Sequence, residues 1–159
     1  MQLIDRAEFT ERVLRSQRVM YLAALAITKN EQDALDAVQE AILIAWRKLP
    51  SLRDSAKFGS WIARIAIRRA QTMTRCRKPS AELPDELPAT TVGFETRMDV
   101  RKAVDSLDER TRLCTMLYYL EDLPISRVAQ IAGISEGTVK SRLHRARTKL
   151  RLALEGYDE

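Results

Sequence analysis

Residues 124–151 read Pro-Ile-Ser-Arg-Val-Ala-Gln-Ile-Ala-Gly-Ile-Ser-Glu-Gly-Thr-Val-Lys-Ser-Arg-Leu-His-Arg-Ala-Arg-Thr-Lys-Leu-Arg. The string divides into a short helix, a glycine turn and a long basic helix. Ser126 precedes the apolar residues Val128, Ala129 and Ile131 and is the expected N-cap of the first helix, its hydroxyl accepting an orphan backbone N–H. Gly133 can enter the left-handed conformation that ends this helix without a Cβ clash. Ser135 caps the second helix, in which Val139, Leu143, Ala146, Leu150 and Leu154 recur every three or four residues along one face. Its other faces carry Lys140, Arg142, Arg145, Arg147, Lys149 and Arg151, with no acid between Gly137 and Arg151. Two helices joined by a three-residue glycine turn, the second helix basic, form the layout of a DNA-binding helix-turn-helix.

Outward from this segment, the chain of 159 residues has room for one domain or two small ones. A hydrophobic fraction of 45% supports a globular core. The 31% charged residues, and the lack of any apolar run near the roughly 18 residues of a membrane span, argue against membrane insertion. The opening Met-Gln-Leu-Ile-Asp-Arg soon becomes charged, so no signal peptide is expected and the protein reads as soluble and cytoplasmic. Cys76 and Cys114 are too few and too far apart to predict a zinc site or a disulfide framework. Cys114, among Leu113, Met116 and Leu117, is expected to be buried, whereas Cys76 lies in a basic stretch. His144, the sole histidine, has no acidic or nucleophilic company in sequence and is expected at DNA backbone or in solvent.

The net charge of +5 is unevenly spread. Residues 1–79 hold 15 basic and 8 acidic side chains, residues 80–99 hold 1 and 5, and residues 100–159 hold 11 and 9. Basic surface predicts a polyanionic partner. The acidic connector also holds Pro79, Pro84 and Pro88, so residues 79–95 cannot form one helix. Fully extended, they span about 55–60 Å. The predicted organisation is all-α: a first domain over 1–78, a flexible linker over 79–95 and a second domain over 96–159.

In the first domain a helix is expected over Asp5–Thr28, with Phe9, Val13, Met20, Ala23, Ala24 and Ile27 inward. Asn30 caps a second, Glu31–Leu49, whose stripe is Ala34, Val38, Ala41, Ile42, Ala45, Trp46 and Leu49. Pro50 stops it, and Pro50–Ala56 reads as a polar loop. A third helix, Lys57–Arg75, buries Phe58, Trp61, Ile62, Ile65 and Ala66. Both tryptophans fall on apolar stripes and read as core. Lys57, Arg64, Arg68 and Arg75, spaced seven, four and seven apart, share the opposite face. Residues 64–78 hold six basic side chains and no acid. Exposed helix faces usually mix signs for i,i+4 pairing, so a one-signed face favours nucleic-acid contact over passive solvation. In the second domain Val100, Ala103, Val104 and Leu107 suit one helix, and Asp108 caps the next, Glu109–Leu120, with Leu113, Cys114, Leu117 and Leu120 inward.

Together these two blocks resemble the extracytoplasmic-function branch of the sigma-70 family. The resemblance rests on Leu123-Pro-Ile-Ser, Val128-Ala and Ala132-Gly-Ile-Ser-Glu-Gly-Thr-Val-Lys-Ser-Arg-Leu-His-Arg-Ala-Arg in the second block. In the first it rests on Asp33-Ala-Leu-Asp-Ala-Val-Gln-Glu-Ala, Ala45-Trp and Phe58-Gly-Ser-Trp-Ile-Ala-Arg-Ile-Ala. It covers nearly the whole chain apart from the linker. It implies a promoter-specificity subunit that acts with core RNA polymerase, through the β′ and β subunits, and is controlled by an anti-sigma factor. On these positions, Asp36, Gln39 and Glu40 would bind the coiled-coil clamp of β′. The loop Pro50–Ala56 would hold an unstacked base of the −10 element, and Lys57, Arg64, Arg68 and Arg75 would track the strand around it. Ser135, Gly137, Thr138, Lys140, Ser141, Arg142 and Arg145 would lie nearest the −35 element. The linker would thread toward the RNA exit path.

The family usually has an asparagine after Arg-Ile-Ala-Arg, where this chain has Ile67 and Arg68, which assigns Arg68 to phosphate. Ala37 and Ala41 are smaller than the family's usual residues in the clamp-binding helix, which implies a contact there that is weaker or relies on neighbours. No acid–base pair, metal ligand set or phosphate-binding glycine loop is legible, so neither cofactor nor metal is expected and catalysis falls to the polymerase. The rival reading is an autonomous helix-turn-helix regulator whose first domain binds a ligand or dimerises. That reading leaves the first block's motifs unused.

Overall fold

The computed structural model describes residues 3–76 and 94–155. Among these it has seven α-helices and no strand: α1 (Arg6–Thr28), α2 (Glu31–Lys48), α3 (Phe58–Cys76), α4 (Phe94–Asp105), α5 (Glu109–Tyr119), α6 (Ile125–Ala132) and α7 (Glu136–Leu154). Most of the caps follow from the sequence. Asp5 accepts from the Glu8 N–H at 2.8 Å, Asn30 from Asp33 at 2.9 Å, and Ser135 from Thr138 at 3.1 Å. Each satisfies one of the four N–H groups that a helix start leaves unpaired. Lys29 ends α1 in the left-handed region at φ 55°, and its N–H bonds to Leu25 O.

Helices α1, α2 and α3 pack mutually into a three-helix layer. Its core alternates large side chains with alanines that let the helices approach closely: Phe9, Met20, Phe58 and Ile62 sit among Ala23, Ala24, Ala63 and Ala66, all buried. The alanines of α2 belong here too. Ala37 and Ala41 are fully buried against the layer, so their small size reflects helix packing, and an outer contact on α2 falls to their neighbours. Trp46 also departs from its reading. It touches Phe9 edge-on, with centroids 4.9 Å apart, yet stays 46% exposed, because it lies at the margin of the α2 stripe. Trp61 is half-buried against Phe58.

The loop between α2 and α3 is not irregular. Leu49–Ser51 and Ser55–Lys57 are single 3₁₀ turns, and Asp54 caps the second by accepting from the Ala56 N–H at 3.0 Å. Arg12 of α1 braces this loop, donating to Ser55 O and standing 5.9 Å over the Phe58 ring.

In the second half α7 packs on α4, α5 and α6. Val128, Ile131, Val139, Leu143 and Ala146 are buried between them, and Cys114 is fully buried as expected. The side chain of Leu154 lies outside the described residues. Several boundaries differ from expectation. Phe94 and Glu95, assigned to the linker, already belong to α4, and the remainder of that linker lies outside the described residues. Val100 and Leu120 are 40% and 52% exposed, and Leu120 lies one residue beyond the end of α5. Helix α6 starts at Ile125 with Pro124 as its N-cap residue, two residues before Ser126. The fixed φ of proline, −64° here, sets an extended entry, and its carbonyl takes the Arg127 and Val128 N–H groups, so no side-chain cap is used.

The two halves touch. Helix α1 lies along α5, and α3 against α6, so one apolar cluster runs from Phe9 to Leu143. Arg112, only 4% exposed, bridges them by donating to Ala26 O at the end of α1 and to Leu107 O between α4 and α5.

Candidate nucleic-acid interfaces

The helix-turn-helix is built around Gly133, which at φ 71° ends α6 while its N–H returns to Ala129 O at 2.9 Å. No residue with a Cβ takes that conformation without strain. The Ser135 and Thr138 hydroxyls share a 2.8 Å hydrogen bond that secures the first turn of α7. Beyond it Ser135, Gly137, Lys140, Ser141 and Arg145 are exposed on one side, with Thr138 half-buried beneath them. Open space surrounds Gly137, where an added Cβ would meet only the Ser135 hydroxyl at 3.9 Å. The helix start therefore offers free N–H groups beside basic side chains, an arrangement suited to phosphate. Arg147 is drawn aside by a 3.1 Å bond to the Tyr119 hydroxyl. His144 is exposed.

Arg142 sits differently from its neighbours. It is half-buried and lines a cavity of about 320 Å³ shared with Ile27, Ile67 and Gln71 of the first half. The sequence placed it with the other groove-facing residues; in this structure it lies half-buried beside the seam between the halves.

The basic face of α3 forms as expected. Arg64, Arg68 and Arg75 are exposed on it, and Lys57 is exposed in the 3₁₀ turn just before it. At its start lies a cavity of about 360 Å³, bounded by Ser51, Leu52, Arg53, Lys57, Trp61 and Arg64. Arg53 was not singled out in the sequence, and Trp61 was read there as core; half-buried, it instead reaches the cavity wall. Trp61 lies one position to the side of the Phe58–Ile62–Ile65 stripe, and that offset marks a residue at the edge of a core. Arg69, next to the exposed Arg68, turns away to pair with Glu40 of α2, which also holds its guanidinium more strongly protonated than usual.

On α2 the three expected polymerase contacts are not equivalent. Gln39 is exposed, Asp36 is half-buried and accepts from Gln32 at 3.3 Å, and Glu40 is engaged by Arg69. Flanking Gln39 are Leu35 and Leu43, 47% and 59% exposed, which continue into Trp46. The spacing of four, four and three places Leu35, Gln39, Leu43 and Trp46 on one outer stripe. An apolar stripe opposite the buried one was legible in the sequence as leucines outside the Ala34–Val38–Ala41–Ala45 face.

Among the described residues no group of three His, Cys, Asp or Glu side chains could hold a metal ion, and no helix is long and apolar enough to cross a membrane. What the chain presents is two cationic surfaces, one beside a cavity of about 360 Å³ that Asp54 and Gln130 also line, and one outer stripe with apolar side chains.

Comparison with known proteins agrees with this division. The family model described as Sigma-70 region 2 matches residues 13–79, and that described as Sigma-70, region 4 matches residues 97–150. The chain is 34% identical to the ECF RNA polymerase sigma factor SigM of Mycobacterium tuberculosis over 96% of its own length and 80% of that protein. It is 33% identical to the RNA polymerase sigma factor SigV of Bacillus subtilis, covering 87% and 86%. It is 31% identical to the ECF RNA polymerase sigma-E factor of Escherichia coli, covering 90% and 84%. The fold matches that of the sigma factor RpoE solved with the anti-sigma factor NepR from Bartonella quintana, with a TM-score of 0.71 at 22% identity, covering 96% of this chain and 99% of that one. It also matches CnrH solved with the cytosolic domain of CnrY, with a TM-score of 0.70 at 22% identity, covering 97% and 92%. Helices, motif order and sequence identity thus lead to one assignment: the chain belongs to the sigma-70 family of RNA polymerase sigma factors, in its extracytoplasmic-function branch.

Proposed function

We propose that the chain directs core RNA polymerase to its promoters through three surfaces, one on each of α2, α3 and α7. The exposed Gln39, with Leu35 and Leu43 beside it, docks on the clamp of β′, and Asp36 and Glu40 border that contact. The cavity at the start of α3 takes an unstacked base of the −10 element, with Trp61 offering a ring edge and Arg53 a cation. Lys57, Arg64, Arg68 and Arg75 neutralise the phosphates of the same strand. Unstacking costs a few kcal/mol, which a loop pocket can offset and a flat helix face cannot. Ser135, Gly137, Thr138, Lys140, Ser141, Arg142 and Arg145 meet the −35 element in the major groove. Arginine can bond a guanine edge at two points, whereas lysine mainly neutralises phosphate.

The observation that carries this reading is the cavity at the head of a one-signed helix, in the same chain as a second, separate DNA reader. A free-standing operator-binding regulator has no use for the former. The chain makes and breaks no bond itself and acts in the cytoplasm, where polymerase and chromosome are. The solved sigma factor RpoE from Bartonella quintana was captured with an anti-sigma factor. By the same logic a partner of that class holds this chain until it is needed. Run-off transcription with purified core enzyme on genomic promoter fragments tests the proposal. Specific transcripts are expected only when the chain is added, and tight operator binding without any effect on core would replace it with the regulator reading.

A further inference from the structure

We propose that the chain binds a small diphosphate anion in a cavity that none of the three promoter and polymerase surfaces uses. This cavity of about 230 Å³ is bounded by α1, by the 3₁₀ turn before α3 and by the first turns of α3 and α6. Its polar lining is Arg12, Arg15, Ser16, Ser55 and Arg127, and no acidic side chain among the described residues reaches its wall. The three guanidiniums are not equally committed. Arg12 and Arg15 each pair with a glutamate one turn back on α1, Glu8 at 2.7 Å and Glu11 at 2.5 Å. Such i,i+4 pairs are weak and screened by salt, and they leave part of each arginine's five N–H donors free. Half-buried Arg127 has no acceptor among the described residues.

Ser16 points to a ligand independently of the arginines. It is only 8% exposed, borders the cavity, and its hydroxyl makes no hydrogen bond among the described residues. Thr10, on the same helix, instead donates back to Arg6 O at 2.9 Å. An inward hydroxyl left idle costs stability unless something in the cavity satisfies it. Gly59 keeps the space between these groups open. A Cβ there would stand 2.7 Å from the Arg127 guanidinium and 3.8 Å from the Ser16 hydroxyl. As the second residue of α3, Gly59 also brings the positive end of that helix to the cavity wall. Guanidinium forks match phosphate oxygens at two points, and a serine hydroxyl can donate to a third. The volume is below the roughly 300–1,000 Å³ of sites that enclose drug-sized ligands, which suits two linked phosphate groups with any larger body left outside. Three cations favour that more highly charged group over a single phosphate. The site stands on its own lining and does not depend on the functional reading above.

Calorimetric titration of the full chain in magnesium-free buffer tests the site, with sodium pyrophosphate, ADP and sodium phosphate as probes. One saturable site is expected, with pyrophosphate bound about tenfold or more tightly than phosphate. ADP binding as tightly as pyrophosphate assigns the site to the diphosphate of a nucleotide, and weaker ADP binding assigns it to the free anion. Arg127→Gln should weaken pyrophosphate binding about tenfold or more, the loss of one charge-assisted pair, and Ser16→Ala should weaken it less. Lys140→Gln with Arg145→Gln, at the exposed start of α7, should leave it unchanged. No saturable binding at about 1 mM pyrophosphate, a very weak affinity, overturns the proposal. So does binding that survives Arg127→Gln, or that is lost in the α7 double variant, because the anion then sits on a general cationic face. Where circular dichroism shows that Arg127→Gln does not fold, amide NMR of the wild type decides. Pyrophosphate should shift the Ser16 and Gly59 resonances, and shifts confined to residues 135–138 overturn the proposal.

Discussion

Arg112 offers the sharpest test of how the two halves are held. The residue is 4% exposed, and its guanidinium donates to Ala26 O, to Leu107 O and, at 3.4 Å, to Asp105 O. Ala26 O belongs to the last turn of α1 and Asp105 O ends α4, so one cation caps two helix C-termini from opposite sides of the seam. Burial pulls its pKa down from the usual arginine value, and Asp105, Glu109 and Asp108 pull it back up. The group stays charged because arginine begins so high. Arg112→Met keeps most of the volume and removes every donor. At least two buried carbonyls then lose their partner at about 1–3 kcal/mol each, while removing a buried charge returns part of its desolvation cost, leaving a net loss of about 2–4 kcal/mol.

Urea unfolding followed by circular dichroism reads this directly. With a slope near the middle of the about 1–3 kcal/mol per molar seen for small proteins, the midpoint should fall by about 1–2 M. Because Ala26 and Leu107 lie in different halves, the loss should also weaken coupling and broaden the transition as the halves begin to unfold separately. Arg112→Lys, which keeps the charge and three donors but loses the planar fork that reaches both sides of the seam, should fall between. A methionine variant within about 0.5 kcal/mol of wild type, a change typical of an inert surface site, would refute the reasoning, since it would mean that these carbonyls need no protein donor.

Arg142→Ala should weaken binding to a −35 duplex and leave core binding intact; loss of core binding would show that α7 is not the reading helix. With about six phosphates neutralised, affinity for promoter DNA should fall on the order of a thousandfold between 50 and 200 mM salt, and a flat response in a salt titration would exclude an electrostatic interface. Burial pushes the Cys114 thiol above its ordinary range, whereas Cys76 is exposed. Ellman's reagent at pH 8 should therefore find one fast thiol in the native protein and a second only in urea. Since the unfolded thiol ionises near about 8.5 and the folded one higher, the unfolded state alone loses the proton above that pH. Stability should decline as pH rises past about 8.5, and Cys114→Ala should flatten the decline.

Within each half, the helices could be read from local chemistry. Asn30, Asp108, Gly133 and Ser135 are short-range signals, each acting within four residues, and each does in the structure what its type predicts. The errors arise where a neighbour outside the local window decides. Pro124 overrides Ser126 as the start of α6 because its extended backbone already satisfies the entry. Trp46 and Trp61 match the helical period but sit at stripe margins, and whether a margin is covered depends on the facing helix. Arg112 is invisible to periodicity, because a charged residue on the inward side of α5 has no apolar rhythm to join. Its role comes from Ala26, 86 residues away. The seam between the halves was unreadable for the same reason. Each half has an apolar face to bury, and nothing in a period says that α1 and α5 will share theirs.

The seam also constrains what can open it. A ligand shifts a two-state equilibrium only by the difference in its affinity for the two states. On the proposed reading, docking of the α2 stripe on the polymerase clamp would make the same contacts whether the halves are closed or apart, so clamp binding alone would leave the equilibrium where it was. Opening must be driven by contacts that exist only when the halves separate: Arg142 in a major groove, Arg64 on a phosphate instead of on Gln130 O, or a polymerase surface that meets the freed second half. Exposed pairs such as Arg18–Glu121 contribute about 1 kcal/mol or less, so the resistance to opening lies in Arg112 and in the apolar contact between α1 and α5. Substitutions on α2 should therefore change how much polymerase is bound, and substitutions along α5 should change how readily the bound complex engages DNA.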